Sequence, residues 1–219
     1  MRRSFIFTTI PFGALVALTV LTGCKVVKNV DPNSESEIEA ALTDAERMAI
    51  YAREIWDTDV LPTVSKHVVP LAELRSALAD DVDAAGMAFG LRPEGEANPW
   101  NFAISGTGII LTAKTASRAA KLHVDTDEDG QADVTIQLGP IVRGTSLRDA
   151  MPFLLFSNFR DQIEFAKLAG GLNAMAHERL TIPEGDLTAQ PVKFEGVFTF
   201  KDISKEIELV PTTLTFGEE

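Results

Sequence analysis

The sequence predicts an α+β fold, with a helical N-terminal section followed by a small OB-like β-barrel carrying one inserted helix. Helical apolar spacing holds over residues 38–86, and five strand-like segments follow within residues 100–219. A long apolar helix pattern separates the third strand segment from the fourth. A two-layer α/β sandwich is the alternative arrangement.

The helical section opens with Ser36 and Glu39 at capping-box spacing, so a helix is expected to start there. Ile38, Leu42, Ala45, Ala49, Ala52 and Trp56 then recur on one face. "DTDVLP" should break it, because Pro62 disfavours helix at Leu61. A second helix is expected over residues 70–85, with Pro70 in its first turn and Leu71, Leu74, Leu78 and Val82 as its stripe.

"LRPEGEANPW" reads as loop, and the strands come after it: "NFAISGTGIILTA", "AAKLHV", "DVTIQL", "PVKFEGVFTF" and "EIELVPTTLTF". Val192, Phe194, Gly196, Phe198 and Phe200 share one face. In the last strand the apolar parity changes at Val210-Pro211, which requires a bulge or a bend. Bent strands with mid-strand glycines suit a closed barrel. The inserted helix has Ser157 or Asn158 as N-cap and Asp161 in its first turn. Its apolar residues occupy more than one stripe, which predicts burial on several sides. The Gly170-Gly171 pair should mark a kink or a close backbone crossing.

The chain has 219 residues, 45% hydrophobic and 24% charged, with a formal charge of −12. That composition is globular, and the charge leaves no basic surplus for nucleic acid. The histidines, His67, His123 and His177, are too scattered for a zinc motif. Nucleophile-elbow and phosphate-loop motifs are absent, so no catalytic residue is assigned and no enzyme is expected.

Arg2 and Arg3 precede the apolar run "FIFTTIPFGALVALTVL", and "LTGC" follows at residues 21–24. The run has signal-peptide character, and "LTGC" resembles the lipobox of bacterial lipoproteins. The expected organisation is a signal peptide over 1–23, a lipidated tether over 24–37, and a single domain over 38–219. Cys24 would carry the acyl chains, palmitate among them, and anchor the protein to a membrane. Losing Arg2 and Arg3 takes the charge from −12 to −14, so the domain should stand off an anionic bilayer. Lys25 stands where an inner-membrane retention signal would have Asp, which leans toward the outer membrane.

"IQLGPIVRGTSLRDAMPFLLFSNFRDQIEFAKLAGGLNAMA" (136–176), with "GCKVVK" and "IWDTDVLP", resembles DUF2291, a family of predicted periplasmic lipoproteins. The resemblance implies a periplasmic location and an accessory role beside sugar-uptake ABC transporters. It supplies no catalytic residues. The alternatives are a structural envelope lipoprotein that binds another envelope protein, and an uncharacterised hydrolase.

Two stretches offer binding chemistry. "LGPIVRGTSLRDAMPF" carries Arg143, Arg148 and Asp149, and Asn158 and Arg160 stand near the entrance of the next helix. Arginine forks suit a carboxylate, a phosphate, a polyol or a protein partner. The same arginines could instead pin a long crossover loop through ion pairs. "VDTDEDGQADV" places Asp125, Asp127, Asp129 and Asp133 at calcium-loop positions, with Gly130 at the sixth. Ile136 replaces the bidentate Glu of an EF-hand, and the flanks are strands. Any calcium there would be structural, stiffening an acidic hairpin tip.

Overall fold

The computed structural model describes residues 42–93, 98–202 and 206–217. The signal sequence, Cys24, Lys25, the tether and the Ser36–Glu39 capping box lie outside the described residues.

Helix α1 (Asp44–Ile55) starts at a capping box of its own. The Thr43 hydroxyl accepts from the Glu46 N–H, and the Glu46 carboxylate accepts from the Thr43 N–H at 2.7 Å. Pro62 does not end the helical path. A π turn over Trp56–Val60 leads straight into α2 (Leu61–His67), where Pro62 occupies the first turn and needs no N–H partner. The single helix expected over 70–85 is two, α3 (Leu71–Asp80) and α4 (Val82–Phe89). Asp81 is extended between them and its side chain caps α4. Leu71, Leu74 and Leu78 are buried as the stripe predicts, whereas Val82 is exposed because it begins the second helix.

A two-residue strand β1 (Val69–Pro70) pairs parallel with β2 (Asn101–Lys114). β3 (Ala119–Asp125) and β4 (Val134–Pro140) form the acidic hairpin. β5 (Pro191–Thr199) and β6 (Ile207–Phe216) follow the inserted helix. The order β2–β3–β4–β6–β5 closes on itself because the first half of β2 pairs with β5 and its second half with β3. β4 and β6 run parallel and the other pairs around the barrel are antiparallel. This is a closed five-stranded barrel.

The expected phase change is a bulge. Glu195 pairs with Thr213 and Gly196 with Pro211, so Thr212 is the extra residue. A Cβ on Gly196 would lie 2.4 Å from the Val210 carbonyl, so glycine permits the strands to close over that bend.

Phe102, Ile104, Leu122, Ile136, Phe194 and Leu209 fill the barrel, joined by the α3 leucines. A second core lies outside the barrel wall. Ala103, Val197 and Val210 meet α1, the π turn, and α6 (Gln162–Glu178) through Met48, Trp56, Leu168 and Leu172. Double-sided burial makes residues 101–104 continuously buried where a one-sided strand would alternate. α6 is capped by Asp161, not by Ser157 or Asn158, and Ile163 at its start is exposed. Its glycine pair is a crossing: a Cβ on Gly171 would lie 2.8 Å from the Met48 carbonyl of α1.

Candidate functional site

Gln137, in the middle of β4, is almost fully buried and gives both halves of its amide to one residue. It accepts from the Arg143 N–H at 2.8 Å and donates to the Arg143 carbonyl at 3.0 Å. The clamp fixes the main chain of Arg143 at the mouth of a cavity of about 390 Å³. Leu78 of α3, Phe198 of β5, Phe200 and Ile207 supply its apolar surface. Arg75, Lys201, Asp202, Glu206 and Glu208 supply its charges. An apolar lining with a few convergent polar groups is the usual form of a small-molecule site.

Most of these charges are engaged. Arg75 binds Asp133 at 2.8 Å, Lys201 binds Glu208 at 2.8 Å, and Lys121 lies 4.0 Å from the same carboxylate. The Lys201 hydrogen bond holds Glu208 below its ordinary pKa against the opposing effect of burial, and the positive charges of Lys201, Lys121 and Arg143 add to it. Glu206 Oε1 accepts from Thr135 and lies 3.1 Å from His123 Nδ1. Thr135 Oγ1 is also 2.9 Å from that same nitrogen. Hydroxyl and acid therefore share one ring nitrogen, where a proton relay needs one on each.

The candidate residues do not converge on one site. Arg143 lines the cavity, whereas Arg148 and Asp149, both in the short helix α5 (Ser146–Asp149), face another hollow that Phe156 and Phe165 also line. Arg148 is spent on structure. It binds Asp149 at 2.7 Å, donates to the Phe165 carbonyl at 3.2 Å and stacks 3.9 Å from the Phe165 ring. Asp149 also accepts from the Thr145 hydroxyl at 2.5 Å. This is the loop-pinning role, tying α5 to α6. Asn158 lies in a single 3₁₀ turn (Phe156–Asn158) and donates to the Phe153 carbonyl at 3.5 Å. Arg160 bonds to Asp44 and Glu164, which Arg47 also reaches, so these charges join the start of α1 to the start of α6.

In the acidic hairpin, Asp125, Asp127 and Asp133 each place a carboxylate oxygen within 4.8 Å of the others. Asp129 turns aside and accepts from the Gln131 N–H at 2.7 Å. Asp125 accepts backbone N–H bonds from Asp127 at 3.2 Å, Glu128 at 2.8 Å and Gly130 at 2.8 Å. Asp133 takes the N–H and hydroxyl of Thr126, each at 2.7 Å, besides Arg75. Burial pushes the Asp133 pKa up, but the Thr126 bonds and the Arg75 charge outweigh it and hold the carboxyl below its usual value. The hairpin tip thus links through Arg75 to the wall of the cavity.

The family described as "Predicted periplasmic lipoprotein (DUF2291)" matches residues 14–215. The chain belongs to the DUF2291 family. It is accordingly a periplasmic protein held to a membrane by lipid, and the family description assigns no activity. No helix among the described residues is long and apolar enough to cross a membrane. A crystal structure of an OB-fold protein from Thermotoga maritima is similar, with a TM-score of 0.59 and 21% identity over 77% of this chain and 97% of that chain. At that identity the likeness shows the fold alone, an OB-like barrel. No curated protein matches the chain.

Within this member of the family, sequence reading located Arg143 but missed its neighbours. Arg75, Gln137, Phe198, Lys201, Glu206 and Glu208 come from α3, β4 and the two sides of the β5–β6 connection. Barrel closure brings them together, and local spacing carries no mark of it. One signal was available: "TFKD" and "EIEL" place charges directly beside barrel-facing aromatic and aliphatic residues.

Proposed function

We propose that this lipoprotein is a non-enzymatic binding or accessory protein of a sugar-uptake ABC transporter, with the Arg143 cavity as its binding surface. The observation that carries the reading is a partly apolar cavity of about 390 Å³, with Phe198 and Phe200 in its lining and Arg143 held at its mouth. Lipid on Cys24, after removal of residues 1–23, keeps the domain beside membrane components, and Lys25 favours the outer membrane. Pull-down from membranes with wild type and Arg143→Ala tests the transporter link. Transporter subunits should be recovered with wild type and depleted with the variant. Equal recovery removes the cavity from the contact, and no transporter subunit in either sample sinks the association. Cys24→Ala should release the protein from the membrane fraction; retention there would contradict lipid anchoring through this residue.

A second reading is a structural role against another envelope protein. It is favoured by the exposed Phe153, Phe156 and Ile163 beside the α5–α6 junction, a group of large apolar side chains left open to solvent. The hydrolase reading gains nothing from the buried acids. Asp125 lies in the β3–β4 hairpin on backbone donors, and Glu164 lies at the start of α6 on Arg160 and Arg47.

A further inference from the structure

Charges of both signs line the Arg143 cavity. Arg143, Lys201 and Lys121 surround the single carboxylate of Glu208. Lys201 is in contact at 2.8 Å and Lys121 at 4.0 Å, so Glu208 is already satisfied. The Arg143 guanidinium makes no hydrogen bond or ion pair among the described residues, although Gln137 clamps the main chain that carries it. Two residues before Glu208, just ahead of β6, stands Glu206. Among the described residues it uses Oε1 for Thr135 and His123, and Oε2 is the oxygen left to accept from a ligand. Phe200 and Ile207 line the same cavity.

Resting on the binding reading above, we infer that the cavity takes a small hydroxylated carboxylate, with the carboxylate on Arg143 and hydroxyls toward Glu206. Each part of that chemistry has a physical reason. A guanidinium with unused donors pairs best with a planar, two-oxygen anion. Arg143, the cation without a direct ion pair among the described residues, favours an anion beside it, whereas Asp202, Glu206 and Glu208 in the same lining repel a second negative charge. A monoanion is therefore preferred to a phosphate dianion. A carboxylate acceptor such as Glu206 suits a hydroxyl donor, and the carbon faces of a polyol chain pack on Phe200 and Ile207.

The test uses the full chain in detergent with three open-chain probes: D-gluconate, its neutral counterpart D-glucitol, and the dianion glucitol 6-phosphate. Calorimetry at low and high salt reads the affinities. Gluconate should bind about tenfold more tightly than either other probe, since a charge-assisted bond at an exposed arginine supplies about that factor. The preference should shrink with salt. Arg143→Gln should remove the preference for gluconate over glucitol and leave the Tm unchanged, because Gln137 holds main-chain atoms that the variant keeps. Arg143→Lys should keep part of the preference.

Equal binding of gluconate and glucitol to wild type overturns the carboxylate inference and leaves a binding protein. A gluconate preference that survives Arg143→Gln overturns the assignment to Arg143. Tighter glucitol 6-phosphate overturns the monoanion. Absence of binding by all three at millimolar concentration overturns both this inference and the small-ligand form of the proposed function.

Discussion

Gly170→Ala and Gly171→Ala add the same methyl to adjacent residues of α6 and should move stability in opposite directions. A Cβ on Gly170 meets nothing within 4 Å, and the residue is exposed. Alanine there gains helix propensity and restricts the unfolded chain, which stabilises by about 0.5–1 kcal/mol. A Cβ on Gly171 would lie 2.8 Å from the Met48 carbonyl and 3.1 Å from the Ala52 Cβ. The nearer atom is backbone, so α1 must move away from α6. Overpacking of this kind costs roughly 2–3 kcal/mol, and the propensity gain offsets about 1, leaving a loss of roughly 1–2 kcal/mol. The two variants should differ by about 1.5–3 kcal/mol, or about 3–12 °C in Tm for a chain of this size. Urea titration followed by tryptophan fluorescence reads the difference, since Trp56 lies in the same core. Equal shifts of one sign in both variants would refute the contact between α1 and α6 at Gly171.

Arg148→Ala should lower stability by about 2 kcal/mol through loss of its ion pair and ring contact, and should leave binding at the Arg143 cavity unchanged. A binding defect without a stability defect would assign Arg148 to the ligand. The Asp133 pKa is lowered on folding, so its contribution is present above the unfolded carboxylate pKa and is lost as pH falls through the lower folded value. Denaturation of wild type and Asp133→Asn at pH 7 and pH 3 should show a gap at neutral pH that narrows in acid, and parallel profiles would refute the linkage. Millimolar calcium should leave the Tm of wild type unchanged to within about 1 °C, because Asp125 and Asp133 are already bonded within the fold. A rise of several degrees that Asp127→Asn abolishes would establish calcium as a ligand of the hairpin.

Local pattern made most elements legible. Alternation placed Val192, Phe194 and Phe198 on the inner face of β5, and the parity change at Val210-Pro211 located the bulge to within two residues. Helix starts were less legible, because several polar residues could cap. Asp161 was chosen over Asn158, and Thr43 caps α1, where α1 and α6 meet through the charges of Asp44, Arg47, Arg160 and Glu164. The path through Pro62 was misread for a related reason. A π turn there buries Trp56 and Val60 against Ala103, Val197 and Val210, and that burial outweighs local backbone preference.

Arg143 and Arg148 mark the boundary between the two kinds of information. The sequence by itself determined that both arginines lie in a glycine- and proline-rich crossover between barrel strands, near donors and acceptors of either sign. Only the tertiary structure decided that Phe165 and Asp149 absorb Arg148, whereas Gln137 holds the main chain of Arg143 and the Arg143 charge acts on Glu208. Side-chain type and periodicity are local properties, read directly along the chain. Which charges meet depends on closure of β2 onto β5 and β4 onto β6, contacts between residues about seventy to one hundred positions apart.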